Sequence, residues 1–316
     1  MKVLITGATG LVGTAITRLC LEQKIEVNYL TTRKNKIVSR EHYRGYYWDP
    51  KKRVIDTACF EGVSAIINLA GESISRRWSK HNKARIIASR LESLETLYKG
   101  LQKIDCKDIT SFVSASAIGI YPNSLSHYYT EDEGNMDESF LGTVVHQWEN
   151  AINNFSKFNF KIAVIRIGLV LTPEGGALPA MAKPINNYVG AAFGSGEQWQ
   201  SWIHIEDLAR QFLFVINRQL KGIYNGVAPN PVTNSKLVKE IAEVLKKPLF
   251  LPNIPEFLMR LILGEMSYLL FVSQRVSSKK IEDEGFDFYY KNVCNALENL
   301  YQTEEKASDM FHKEFV

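Results

Sequence analysis

The chain has 316 residues, enough for one large domain or two domains of moderate size. Its composition, 45% hydrophobic and 23% charged, is that of an ordinary soluble globular protein. A net charge of +4 is small for this length and gives no reason to expect a nucleic acid partner. The four cysteines are far apart, which favours buried, reduced thiols and argues against a zinc site.

The sequence also bears on location. The chain opens directly into a strand-like pattern, so no secretory leader is predicted. The most apolar stretch, residues 257–272, is interrupted by charged residues and is too short to span a bilayer. We interpret it as a core or interface helix. A cytoplasmic protein that binds no membrane is therefore expected.

The first thirteen residues carry the strongest local signal. Residues 2–6 are aliphatic or β-branched, which predicts a buried strand, and residues 14–21 have apolar side chains at helical spacing. Between them lies a Gly-x-x-Gly-x-x-Gly turn, residues 7–13. Strand, glycine turn and helix are the context that a dinucleotide-binding fingerprint requires. The spacing is looser than Gly-x-Gly-x-x-Gly, and an ordinary glycine-rich turn is the alternative.

Each glycine of this turn has a separate use in nucleotide binding. Gly7 would let the chain turn off the strand, Gly10 would let backbone N–H groups approach a pyrophosphate, and Gly13 would let the helix pack on the strand. The phosphates would then lie at the positive end of the helix. The predicted cofactor-binding residues here are Gly7, Thr9, Gly10, Leu11, Val12 and Gly13.

The second predicted strand, residues 26–31, bears on the choice of cofactor. In folds that bind NAD, an acidic residue near this strand end holds the ribose hydroxyls, whereas an arginine accommodates the 2′-phosphate of NADP. The strand here is followed by Arg33 and Lys34, with no Asp or Glu. Arg33 therefore predicts NADP(H), with a solvated basic loop as the alternative.

Strands and helices alternate through the first half of the chain. This order predicts an α/β fold with a Rossmann-type, doubly wound parallel sheet. Two of the strands have segments rich in small residues at their carboxyl ends, where ligands bind in such sheets. These segments give Leu69, Ala70, Gly71 and Ser114 as further cofactor-binding candidates. The predicted strands are 45–49, 63–69, 109–115, 161–171 and 223–227, and the predicted helices are 80–103 and 140–155.

Beyond residue 172 the alternation loosens. Residues 173–196 are rich in Gly, Pro and Ala and predict a mobile segment that faces the substrate. An α-rich portion comes next, with a charged tail from 303 to 316 that is expected to be loose. We therefore predict a nucleotide-binding domain at 1–172, to which 200–228 returns, and a smaller, mostly α substrate-binding portion at 173–199 and 229–316.

Several motifs, taken in chain order, resemble those of one family. The chain resembles the extended short-chain dehydrogenase/reductase superfamily, and more narrowly its epimerase-like branch with a C-terminal segment of unknown function. The resemblance implies an NADP-dependent oxidoreductase or epimerase, acting as a monomer or homodimer on an unassigned small or nucleotide-linked substrate. A catalytically silent NADP-binding regulatory or scaffold protein is the alternative. The motifs are the glycine turn, Asn68–Gly71, Arg77-Trp78 with Lys83, Ser89 and Arg90, Ser116–Tyr121, Trp148-Glu149, 166–171, 194–204, 228–233, 264–266 and 277–286.

The catalytic residues of that superfamily are only partly present. Its extended members carry a serine and then Tyr-x-x-x-Lys, in which the tyrosine moves the proton. Ser116 matches the serine, but Leu141 and Val145 occupy the tyrosine and lysine places. Tyr121, just beyond Ser116, is the candidate replacement, although a tyrosine there would more often pack than react.

Three residues are candidates for substrate contact. Arg77 and Lys83 could orient an anionic substrate or stabilise developing negative charge, and the alternative is that both are surface charges. Trp202 could stack on a ligand ring, although anchoring the second domain is the safer interpretation. His204, between two isoleucines, is expected to be a hydrogen-bonded core histidine rather than a general base.

Overall fold

The computed structural model describes residues 1–302, so the predicted loose tail lies outside the described residues. Within this range the helices alternate with strands in the first half and dominate the end. The strands are β1 (Lys2–Thr6), β2 (Glu26–Thr31), β3 (Ser39–Arg40), β4 (Tyr43–Asp49), β5 (Val54–Ile55), β6 (Ala65–Asn68), β7 (Ser111–Ala117), β8 (Tyr128–Tyr129), β9 (Lys161–Ile167), β10 (Leu169–Leu171), β11 (Trp199–Gln200), β12 (Trp202–His204), β13 (Gly222–Gly226), β14 (Val232–Thr233) and β15 (Arg275–Val276). The α-helices include α1 (Leu11–Glu22), α2 (Lys80–Leu101), α3 (Phe140–Asn153), α4 (Ala177–Asn186), α5 (Ile205–Asn217), α6 (Asn234–Val244), α7 (Glu256–Leu263), α8 (Tyr268–Phe271) and α9 (Lys279–Asp283), and residues 293–302 are also helical.

The chain divides into two units. Unit 1 comprises Met1–Pro122, Glu131–Ile167 and Leu208–Asn225. Among the described residues, unit 2 comprises Asn123–Thr130, Gly168–Asp207 and 226–302. The segment that returns to the first unit is therefore shorter than the predicted 200–228.

Unit 1 is built on the large sheet, whose strands run in the order β13-β9-β7-β6-β1-β2-β4-β3, with β5 paired to β4. The pairs from β9 through β7, β6, β1 and β2 to β4 are parallel. Val3, Leu4 and Ile5 of β1 are each 0% exposed, as expected for a strand covered on both faces. This confirms the predicted Rossmann-type sheet. Its order reverses between β1 and β6, and that is where such sheets bind ligands.

Short polar signals begin the long helices of unit 1. The Ser79 hydroxyl accepts the Asn82 N–H ahead of α2, and the Ser139 hydroxyl accepts the Leu141 N–H ahead of α3. Both helices bury apolar stripes at three- and four-residue spacing. Phe112 of β7 stacks on Phe155, beyond the end of α3, with ring centroids 4.3 Å apart. The predicted bounds of α2 and α3 are confirmed to within two residues.

The single strand predicted at 161–171 is wrong, because the chain changes sheets at Gly168. β9 ends at Ile167 and lies in the large sheet, whereas β10 pairs with β12 in unit 2. A Cβ atom on Gly168 would lie 2.2 Å from the Ser201 carbonyl oxygen, so only glycine permits this approach. The unbroken run of apolar residues hides the change of sheet.

Within the described part of unit 2 there are three two-stranded pairings, β10–β12, β11–β14 and β8–β15. The sequence predicts no helix within 173–196, but α4 lies there and buries Leu178, Ala182 and Ile185.

His204 is 2% exposed, and its ring stacks on Tyr290 at 3.8 Å, which confirms the expected core histidine. Among the described residues, no helix is long and apolar enough to cross a membrane.

Candidate nucleotide-binding site

The glycine turn between β1 and α1 has the geometry that its three glycines imply. Gly7 has a φ of +73°, in the region that favours glycine. The Gly10 N–H donates to the Gly7 carbonyl at 2.9 Å and closes the turn. A Cβ atom on Gly13 would lie only 2.1 Å from the same carbonyl oxygen, so α1 packs on the turn at a distance that no side chain allows.

The amino end of α1 is open to an anion. Gly10 is its N-cap, and because glycine has no side chain it cannot hydrogen-bond to the N–H groups of the first turn. The N–H groups of Leu11, Val12 and Gly13 belong to the first turn, where intrahelical acceptors are missing. Helix N-termini of this kind hold phosphates through their N–H groups and dipole.

A buried polar brace holds the neighbouring strand ends together. The Thr6 hydroxyl donates to Asn68 Oδ1 at 2.9 Å and accepts the N–H groups of Leu69 and Ala70, each at 3.1 Å. Asn68 Nδ2 donates to Ser114 Oγ at 2.9 Å. Thr6, Asn68 and Ser114 are each 0% exposed. The Ser114 hydroxyl is therefore bound within the brace, which the side chains of Thr6 and Asn68 build between the strand ends.

Beside the turn lies a cavity of about 620 Å³. Five of the predicted cofactor-binding residues line it, whereas Gly10, Leu11, Val12, Gly13, Leu69 and Ser114 do not. The helix α2 closes one side with Ser89, Glu92 and Ser93. The five lining residues that the sequence predicts are Gly7, Thr9, Arg33, Ala70 and Gly71, and Lys36 and Lys51 join them.

The carboxylates that line this cavity are each engaged by a cation. Asp49 accepts the Lys52 N–H and lies 3.8 Å from its ammonium. Glu72 binds Arg85 at 2.5 Å. Glu92 lies 3.8 Å from Arg53.

Two cations that line the cavity, Arg33 and Lys36, are exposed. Neither forms a salt bridge with any residue in the range 1–302. The cavity therefore presents positive charge at the carboxyl end of β2.

The predicted catalytic residues belong to a network inside unit 1. Ser116 Oγ donates to Glu149 Oε1 at 2.6 Å. Arg166 binds Glu149 through two nitrogens at 2.9 and 2.8 Å, and its third donates to the Tyr121 hydroxyl at 3.0 Å. Tyr121 in turn donates to Asn225 Oδ1 at 2.7 Å. Such a paired, two-point contact between a guanidinium and a carboxylate fixes both groups.

Burial governs what these groups can do. Tyr121 is 1% exposed, and burial raises the pKa of its phenol to about 12. Ser116 is 2% exposed. Leu141 and Val145 are buried on α3, and neither side chain can carry a proton. Ser116 and Tyr121 are thus buried to a similar degree and hydrogen-bonded in one network, and both stay candidates for catalysis.

The three residues predicted to contact substrate lie in different surroundings. Arg77 is exposed, and the Lys83 ammonium lies 5.1 Å above the Phe140 ring. Trp202 is 0% exposed, and its ring N–H donates to the Asn230 carbonyl at 2.9 Å. This burial favours the anchoring role of Trp202 in unit 2 over stacking on a ligand. Among the described residues, no group of His, Cys, Asp or Glu side chains is arranged to hold a metal ion.

Arg90 lies beside the Gly71 edge of the site, although the sequence gives it no role. Its guanidinium lies 4.8 Å from the Trp148 ring and donates to the carbonyls of Glu72 and Ile86. Burial lowers the pKa of this guanidinium to about 10. A Cβ atom on Gly71 would lie 3.1 Å from it, so the strand end and Arg90 are closely packed.

Comparison with known proteins places this site in a family. Residues 3–225 match the NAD dependent epimerase/dehydratase family, and residues 254–300 match a domain of unknown function, DUF1731. An epimerase family protein of Staphylococcus epidermidis is 35% identical over 303 residues, which cover 95% of this chain and 98% of that protein.

Two solved structures are also similar. That of human epimerase family protein SDR39U1 (isoform 2), which holds NADPH, is 27% identical with a TM-score of 0.84 and covers 96% of this chain and 99% of that one. A nucleoside-diphosphate sugar epimerase from Corynebacterium glutamicum is 28% identical with a TM-score of 0.74, and the match covers 94% of this chain but 57% of that longer one. The chain therefore belongs to the NAD dependent epimerase/dehydratase family, within the extended short-chain dehydrogenase/reductase fold.

Proposed function

We propose that this protein is an NADPH-dependent oxidoreductase or epimerase of the extended short-chain dehydrogenase/reductase type. Two neighbouring features carry the proposal: the amino end of α1, which no side chain caps, and the adjoining cavity, which the cations Arg33 and Lys36 line. A diphosphate fits the first feature and a 2′-phosphate fits the second. The NADPH in the human relative's structure supports the same assignment.

The preference for NADPH over NADH rests on the residues after β2. The strand ends at Thr31, and Thr32 and Arg33 come next, so no carboxylate directly follows the strand to hold the ribose hydroxyls. Asp49, which lines the same cavity, is already bound by Lys52. A carboxylate near a 2′-phosphate would repel it, whereas a guanidinium can bind it through two parallel hydrogen bonds.

For the reaction itself we propose a small or nucleotide-linked substrate, and the likeness to the nucleoside-diphosphate sugar epimerase of Corynebacterium glutamicum supports this choice. NADPH, when bound, supplies a hydride. Ser116 is the candidate for binding the reacting oxygen, since the hydrogen bond that it donates to Glu149 orients its hydroxyl. Arg77 and Lys83 are the candidates for holding an anionic group of the substrate.

A second candidate is an NADPH-binding protein without turnover, and Leu141 and Val145 favour it because they occupy the places of the usual proton-transfer pair. Calorimetric titration with NADPH and a screen of NADPH oxidation over a library of carbonyl compounds separate the two. We expect binding and turnover, with turnover lost in Ser116→Ala and retained in part in Tyr121→Phe. Tight binding with no turnover on any compound would establish the second candidate, and absence of binding would refute both.

A further inference from the structure

One buried hydroxyl contacts the backbone of the loop after β2 at two places. Tyr29, in β2, is 1% exposed. Its hydroxyl donates to the Lys36 carbonyl at 2.7 Å and accepts the Val38 N–H at 2.9 Å. One phenol therefore fixes two backbone positions of the segment that carries the cations of the cavity.

The same segment places Arg33 and Lys36 on one side. Residues Lys34–Lys36 form a 3₁₀ turn with Arg33 as its N-cap, and the Lys36 N–H donates to the Arg33 carbonyl at 2.9 Å. Because a 3₁₀ helix has three residues per turn, side chains at i and i+3 are eclipsed. Arg33 and Lys36 accordingly both line the cavity, whereas Lys34 lies over the Tyr47 ring at 5.1 Å.

The position of the Tyr29 ring is itself built into the sheet. The ring stacks on Tyr43 with centroids 4.4 Å apart and an interplanar angle of 15°. A Cβ atom on Gly45 would lie 2.5 Å from the phenol end of Tyr29. Only glycine at this position on β4 leaves room for the ring, so the site of the hydroxyl is fixed by two neighbouring residues.

We propose that Tyr29 is a positioning residue for cofactor choice: its hydroxyl holds the backbone at Lys36 and Val38 so that the Lys36 side chain joins Arg33 in binding the 2′-phosphate. This inference rests on the proposed NADPH-binding function and adds Lys36 to the phosphate-binding residues. A phosphate monoester carries about two negative charges near neutral pH, so two convergent cations suit it better than one. NADH lacks that group, and its binding should not depend on the loop.

The test compares the dissociation constants of NADPH and NADH for wild type, Tyr29→Phe, Lys36→Gln and the double variant. We expect the Kd of NADPH to rise about fivefold or more in Tyr29→Phe and in Lys36→Gln, with that of NADH unchanged within about twofold. The Kd of NADPH for the double variant should lie within about twofold of the Kd for Lys36→Gln, because Tyr29 acts through the position of Lys36.

Tyr46→Phe is the matched control: it removes the phenol hydroxyl of another buried tyrosine, which lies in β4 opposite Leu30, and it should leave both constants unchanged. Wild-type selectivity in Tyr29→Phe, or equal weakening of NADPH and NADH, would overturn the positioning role while NADPH binding still stood. If wild-type protein bound no NADPH, the proposed function would fail instead.

Discussion

Two glycine-to-alanine substitutions in the same turn should have opposite consequences. Gly10 has φ −83° and ψ 172°, a backbone conformation that any residue adopts. Its added Cβ atom would meet only the Gly7 carbonyl oxygen, at 3.2 Å. Gly13→Ala would instead drive a Cβ atom to 2.1 Å from that oxygen and to 2.7 Å from the Ala8 Cα atom.

The expected magnitudes follow from these distances. Gly10→Ala replaces one N-cap residue by a poorer one, which costs about 1 kcal/mol or less. That corresponds to a fall in Tm of roughly 2–4 °C for a unit of this size. Gly13→Ala forces α1 away from β1, and overpacking of this kind costs about 1–3 kcal/mol or more.

The two variants should also differ in nucleotide binding. In the folded Gly10→Ala protein, the methyl group occupies the place where the backbone must approach the diphosphate. We expect NADPH to bind at least about tenfold more weakly, a loss of about 1.4 kcal/mol. Calorimetric titration and thermal unfolding, each run on wild type and both variants, measure the two effects separately. Wild-type affinity in Gly10→Ala would refute the assignment of the diphosphate to this turn.

Three further predictions test other parts of the molecule. Arg33→Ala should weaken NADPH binding by about tenfold, as for the loss of a charge-assisted hydrogen bond, and leave NADH binding unchanged in the same titration. Burial lowers the pKa of His204 from 6.5 to about 4, so the folded state requires the neutral ring. The free energy of unfolding should therefore fall by roughly 2 kcal/mol from pH 7 to pH 5 through this group, and His204→Gln should remove that share of the pH dependence in denaturant titrations. Glu149→Gln leaves the Arg166 guanidinium buried without its carboxylate and should lower the unfolding free energy by about 3 kcal/mol, whereas no measurable change would show that the pair is not needed for the fold.

The sheet was predictable because its signals are local and strong. The apolar run of residues 2–6, followed by three glycines, specifies strand, turn and helix within twenty residues. The change of sheets at Gly168 was not predictable, since it depends on the approach of Ser201 from a distant part of the chain. Helix α4 is likewise concealed by Gly175, Gly176 and Pro184, residue types that usually interrupt helices.

The residues of the candidate site were also predictable only in part. The residues that a nucleotide would touch through the backbone, such as Gly7 and Gly10, could be found because glycine spacing marks them. The hydrogen bonds that hold the site in place could not be predicted. Thr6 and Asn68 bond to side chains far away in sequence, and Tyr29 bonds to backbone groups, which no residue type marks. Their types occur in any strand. Only the folded structure shows which of their hydroxyl and amide groups meet.

The most direct measurement is a crystal structure of the protein soaked with NADPH. The diphosphate is predicted to accept hydrogen bonds from the N–H groups of Leu11 and Val12 at the amino end of α1, with the 2′-phosphate between Arg33 and Lys36. A nucleotide bound at any other place, or a 2′-phosphate that points away from both cations, would contradict the assignment of NADPH binding to the glycine turn and its cavity.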